Sequence, residues 1–116
     1  MPNTEVLARL RAIVGEKGVL DAPGDVAPYL RDYRGLYQGR SPLVLRPGSV
    51  GEVSQVLAAC NEARIGVVPQ GGNTGYCAGA TPDESGEQVV LSLARLNRVR
   101  NVEPLNYAIT VEAGCI

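Results

Sequence analysis

The chain has 116 residues, 45% of them hydrophobic and 20% charged, with a formal net charge of -1 and no histidine. That is the make-up of one globular domain with a small core, which needs a neighbouring domain to enclose a ligand of dinucleotide size. The charge argues against a general binder of the DNA or RNA backbone, and the missing imidazole excludes a Ser-His or Cys-His nucleophile within the chain.

Cys60, Cys77 and Cys115 are odd in number and far apart, so free thiols are expected, not a disulfide framework or a zinc site. No apolar run is long enough for a membrane span, and the first residues carry Glu5 among helix formers where a signal peptide would have an apolar core. A cytoplasmic location is the expectation.

In chain order, residues 4–17 are predicted to form an amphipathic helix stopped by Gly18, because Val6, Leu7, Leu10, Ile13 and Val14 recur at helical spacing. From Asp21 to Pro42 the Pro23-Gly24 pair, Pro28, Gly35 and Gly39 break any period, leaving an irregular connection with one helical turn near residues 26–31. Tyr29, Tyr33 and Tyr37 within it are expected to anchor this connection onto the domain. Arg31, Arg34 and Arg40, interrupted by Asp32, are read as a solvated loop.

Leu43 to Leu45 is predicted to be a short buried strand. "SVGE" then opens a helix through a capping box between Ser49 and Glu52, with Val50, Val53, Val56, Leu57 and Cys60 on its apolar face and Gly66 at its end. Cys60 is therefore a structural thiol on the core side. The following "VVP" completes a strand-helix-strand unit, which puts the next loop at the carboxyl end of a parallel strand, where ligands of open α/β sheets usually bind. Residues 88–93 are a further buried strand. Residues 99–103 and 107–113 lead through two more, the last with the alternation of a half-buried strand, and an apolar strand end at Ile116 reads as a cut in a longer protein.

The loop reads "QGGNTGYCAGATP" from Gln70 to Pro82. Glycines let successive N–H groups line the inside of a turn and let a ligand approach the main chain, while Asn73 and Thr74 add neutral donors suited to phosphate oxygens that are held without reacting. Gly75 is followed by Tyr76-Cys77 and not by Lys-Ser/Thr, which excludes a Walker loop, and the spacing does not match the Rossmann fingerprint. On these residues alone, a tight glycine-rich turn with no ligand stays open beside the anion cradle. Pro82, Asp83 and Gly86 read as plain turn chemistry.

"RPGSVGEVSQVLAACNEARIGVVPQGGNTGYCAGATP" followed by "VVLSLARLNRVRNVEPLNYAITVEAGC" resembles the first half of the FAD-binding domain of the vanillyl-alcohol-oxidase (PCMH) type, and within it the FAD-linked D-lactate, glycolate and D-2-hydroxyglutarate dehydrogenases. The likeness covers residues 46–116 and extends more weakly through "DYRGLYQGRSP". It implies an α/β (α+β) fold, with residues 1–42 as an N-terminal helix and irregular connection and residues 43–116 as the first half of an FAD domain. It also implies that Gly71, Gly72, Asn73, Thr74 and Gly75 hold the FAD pyrophosphate, with Gln70 at the mouth of the loop and Gly79 at its far side.

The chain departs from the family where Ala78-Gly79 replaces two glycines, which strains the loop if that position needs positive φ, and at Tyr76, where an apolar residue is usual. Cys77 is expected to be a small filler. The resemblance implies no catalytic or metal residue here: the base and the substrate cap belong to the remainder of the parent, which is this chain's expected partner beside a small 2-hydroxy acid. Self-association of the 116 residues is expected from the uncovered last strand. The rival readings are a free-standing, non-catalytic phosphate- or nucleotide-binding module, and the same flavin scaffold acting on a sugar or an alcohol.

Overall fold

In the computed structural model, which describes residues 2–116, helix α1 spans Thr4–Val14. Its first turn is capped by Asn3, whose Oδ1 accepts from the Val6 N–H at 2.9 Å. The helix stops three residues earlier than its periodicity predicts, because Gly15 adopts φ 75 and closes the end through its N–H on the Arg11 carbonyl at 2.8 Å. Gly18 serves a different need: a Cβ there would lie 2.8 Å from the Cβ of Val14.

Strand β1, Val19–Leu20, follows and has no sequence signal beyond two apolar residues. The predicted turn near residues 26–31 is displaced toward the N-terminus, with α2 at Pro23–Val26 and a 3-10 turn at Ala27–Tyr29, since Pro23 supplies the fixed φ of a first helical residue. Strand β2 is Val44–Leu45 and helix α3 is Val50–Ala63. Ser49 Oγ accepts from the Glu52 N–H at 3.1 Å, but the Glu52 carboxylate turns to the Ser49 hydroxyl, at 3.4 Å, instead of closing the box on the backbone.

The buried stripe of α3 is Val56, Ala59 and Cys60 with Val53 partly buried; Val50 and Leu57, expected on that face, are 59% and 45% exposed. The helix ends on Arg64 in the left-handed region, φ 58, and not at Gly66.

Strands β3 (Val67–Gln70) and β4 (Val89–Ser92) complete a four-stranded sheet of order β1-β2-β4-β3. β2, β4 and β3 are parallel, in register Val44↔Val90 and Val68↔Val90, and β1 is an antiparallel edge. The strand-helix-strand unit is present, but β4 lies between its two strands. Alternation along the sheet sends Leu43, Leu45, Val89 and Leu91 to one face, where they pack with Leu10, Val14, Val56 and Cys60 of the two long helices. Val44 and Val90 face the other way, against Val26, Leu20, Tyr29 and Leu30. Burial holds the Cys60 thiol in its neutral form and raises its pKa, in keeping with a structural role.

Strands β5 (Val99–Glu103) and β6 (Ala108–Val111) form a separate antiparallel pair. The half-burial expected of β6 is not found: Ile109 and Val111 are 59% and 45% exposed, as are Val99 (50%) and Val102 (58%) of β5, since no second layer covers them among the described residues. The pair is tied to the sheet where Gly114 N–H meets the Leu96 carbonyl at 2.8 Å, an approach so close that a Cβ on Gly114 would fall 1.8 Å from the Leu93 oxygen. Glu112 braces the same corner. It accepts from the Arg98 N–H at 3.1 Å and pairs with Arg100, and these contacts hold its carboxyl below the usual range.

Candidate functional site: a glycine loop at the sheet's carboxyl end

The register Gln70↔Ser92 brings the carboxyl ends of β3 and β4 together, and the glycine loop leaves the sheet at this point. Gln70 is buried, and its Nε2 donates to the carbonyls of Tyr29 (3.0 Å) and Ala80 (2.9 Å), so that both ends of the loop are fastened to one side chain. Its amide thus serves to brace the loop.

Beyond Gln70 the main chain is bare. Among the described residues, the N–H groups of Gly71, Gly72, Asn73, Thr74 and Gly75 have no protein acceptor, and residues 71–77 neither donate nor accept a backbone–backbone hydrogen bond. Runs of exposed, unpaired N–H groups at the end of a parallel sheet can bind an oxyanion.

Within the loop, positive φ falls on Asn73 at 56 and Ala78 at 59. The Ala78 value bears on the departure seen in the sequence: alanine occupies a left-handed position that glycine would take without strain, at a cost of roughly 1–2 kcal/mol. A Cβ on Gly72 would come within 3.2 Å of the Cδ1 of Ile116, an exposed side chain that can give way by a few tenths of an ångström.

A cleft of about 400 Å³ lies against the loop, lined by Gln70, Gly71, Gly72 and Asn73 on one side and by Tyr29 and Asp32 on the other. Thr74 and Gly75 lie at the exposed tip, and Gly79 lines a different cleft, with Pro69 and Thr81. Of the residues singled out in the sequence, the structure therefore gathers Gln70 to Asn73 around one space and sets Gly79 apart. Asn73 turns its side-chain amide away from ligand duty and donates to the Arg31 carbonyl at 3.0 Å.

Arg31, Arg34 and Arg40 of the segment opposite are exposed, as a solvated loop requires, while Asp32 and Tyr33 among them line the cleft. Asp32 is 4% exposed; its Oδ1 accepts from the Tyr37 N–H at 2.8 Å, which lowers the carboxyl pKa against the opposing effect of burial. Its Oδ2 has no partner. Tyr29 is partly buried as an anchor, whereas Tyr33 and Tyr37 are 62% and 58% exposed and do not sink into the domain. Tyr33 stacks instead on Tyr76 of the glycine loop, ring centroids 5.9 Å apart and planes 16° from parallel, with the Arg34 guanidinium 5.7 Å from the Tyr76 ring. Cys77 is exposed, so it fills no space in the core. No sequence pattern pairs Tyr33 with Tyr76, which lies 43 positions further along the chain.

A parallel α/β sheet ending in a neutral, unpaired run of amides beside an open cleft suits a phosphate-containing cofactor. A sequence model of the family described as "FAD binding domain" matches residues 41–116, and the chain belongs to that family.

Rice (Oryza sativa subsp. indica) probable D-2-hydroxyglutarate dehydrogenase, mitochondrial, is 37% identical over 114 residues, 98% of this chain and 20% of the relative. The glycolate oxidase subunit GlcD of Escherichia coli is 33% identical over 112 residues, 97% of this chain and 22% of the relative. The chain thus spans about a fifth of the length of such relatives. The structure of p-cresol methylhydroxylase with substrate bound superposes with a TM-score of 0.79 at 26% identity, over 96% of this chain and 22% of that one. Alkyldihydroxyacetonephosphate synthase shares the fold, with a TM-score of 0.82 at 19% identity over 100% of this chain and 23% of that one.

The cofactor of this domain is FAD. The residues fit it: five amides without acceptors among the described residues suit a pyrophosphate.

Proposed function

We propose that this chain is the pyrophosphate-binding part of a flavin-dependent dehydrogenase that oxidises a small D-2-hydroxy acid of the D-lactate, glycolate or D-2-hydroxyglutarate type. The observation that carries the reading is the run of N–H groups from Gly71 to Gly75 that the protein itself leaves without acceptors at the carboxyl end of β3. Support for the substrate class comes from the relatives at 33–37% identity, whose names include D-2-hydroxyglutarate dehydrogenase and glycolate oxidase.

FAD supplies the redox chemistry when bound, taking up the two electrons and hydrogen removed from a hydroxy acid. The residues of this chain bind and orient. The amides of Gly71, Gly72, Asn73, Thr74 and Gly75 neutralise phosphate charge by hydrogen bonds, the Thr74 hydroxyl adds one more donor, and Gln70 and Asn73 keep the loop in place through the carbonyls of Tyr29 and Arg31. Gly79 bounds the far side of the loop. The catalytic base and the substrate-selecting residues lie, in this reading, in the remainder of the FAD domain and a substrate cap, with the boundary of the FAD domain in this chain at residues 42/43.

No helix among the described residues is long and apolar enough to cross a membrane. The cytoplasmic location is part of the proposal, although the rice relative is named as mitochondrial. The deciding experiment is the visible spectrum of the full-length protein purified without added cofactor, followed by anaerobic titration with D-lactate, glycolate and D-2-hydroxyglutarate. Flavin bands bleached by one of these acids are expected. A colourless protein that takes up no FAD refutes the cofactor role, and flavin bands left unbleached by all three acids refute the substrate class.

A further inference from the structure

The glycine loop lacks backbone hydrogen bonds over residues 71–77, yet it holds two non-glycine residues in the left-handed region. The left-handed Ala78 costs roughly 1–2 kcal/mol and Asn73 less, so a loop left to itself would relax into other shapes. A cofactor would then bind only the fraction of molecules in the competent shape, and its apparent affinity would fall in proportion. Something outside the loop's own main chain has to keep it.

Three contacts run along one side of the loop in regular order. Gln70 reaches the Tyr29 carbonyl, Asn73 reaches the Arg31 carbonyl, and the Tyr76 ring stacks on Tyr33. Residues 70, 73 and 76 on the loop thus meet residues 29, 31 and 33 in the same direction, every third residue against every second. These are side-chain rungs, and they restrain the loop without using any of its N–H groups.

We propose that Tyr33 and Tyr76 are positioning residues for the flavin cofactor, forming the outermost rung of a side-chain zipper that holds the glycine loop in its anion-binding shape. The inference rests on the FAD reading above and adds to it the device that keeps the loop ready. The Arg34 guanidinium over the Tyr76 ring strengthens the same rung. Of the three rungs only this one is made by side chains at both ends, so only this one can be dissected from both sides by substitution. Tyr33 and Tyr76 are both more than 60% exposed, which separates the role from packing of the core.

The test is FAD affinity of the full-length apoprotein, read by quenching of flavin fluorescence, with the urea midpoint of each apoprotein measured alongside. Tyr33→Ala and Tyr76→Ala are each expected to weaken binding about two- to tenfold with an unchanged midpoint. The double variant is expected to be no weaker than the poorer single one, because Tyr76→Ala already removes both the Tyr33 stacking and the Arg34 contact. Tyr76→Phe, which keeps the ring and loses the hydroxyl, is expected to bind like the wild type.

Wild-type affinity in both alanine variants overturns the proposal, as do losses that add in the double variant, a loss in Tyr76→Phe equal to that in Tyr76→Ala, or a loss that tracks a fall in the midpoint. Failure of the wild-type protein to bind FAD overturns the cofactor reading itself, and this proposal with it.

Discussion

Strand β4 and the glycine loop meet beside Gln70 and are held by opposite means. β4 is buried from end to end, pairs with a parallel neighbour on each side, and spends its N–H and carbonyl groups on the sheet. The loop makes no backbone–backbone hydrogen bond from residue 71 to residue 77 and is restrained from outside by Gln70, Asn73 and Tyr76. The difference shows how a binding loop can be ordered and still available: a group that must receive a ligand cannot also be the group that holds the fold. Stability sits in the sheet and binding capacity in the loop, so substitutions should separate the two.

The largest separation is expected from Gly72→Val. A Cβ at this position already comes within 3.2 Å of Ile116, and the added branches crowd the amides on the cleft. Loss of even one or two charge-assisted hydrogen bonds weakens FAD by about 10- to 1,000-fold, which is expected to appear as loss of flavin during purification of the full-length protein. Retained flavin, with an affinity by calorimetry equal to that of the wild type, would sink the cradle.

Leu45→Ala is the converse. This side chain has no exposed surface and packs between the sheet and both long helices, so its truncation is expected to cost about 2–5 kcal/mol in urea unfolding while the folded fraction binds FAD as before. An affinity loss as large as that of Gly72→Val would show that sheet and loop are one unit.

The smallest effect is expected from Ala78→Gly, where relief of a left-handed alanine is partly cancelled by the freedom glycine gains in the unfolded chain. The net gain is roughly 0.5–1 kcal/mol in the same unfolding assay. A loss of stability there would mean that the Ala78 methyl makes packing worth more than the strain.

Much of this was legible from the residues. The periodicity of α1 and α3, the Ser49 cap, the apolar runs of β2, β3 and β4, and the parallel strand leading into the glycine loop are all local patterns, and each appears in the structure. The helix ends were less legible. Gly15 and Arg64 end α1 and α3 where Gly18 and Gly66 were expected, because glycine is also used for close approach and a non-glycine residue can take the left-handed conformation when the rest of the fold outweighs its cost.

Length, pattern and the order of the glycines were enough for the sequence by itself to determine an α/β unit with an anion-suited loop after a parallel strand, since these depend on residues close together in the chain. Only the tertiary structure decided that β4 lies between β2 and β3, and that β5 and β6 stand apart with their apolar faces uncovered. It alone showed that Asp32 and Tyr33 face a loop some 40 residues away. Such pairings are set by which surfaces the core brings together, and no local pattern of side chains encodes them.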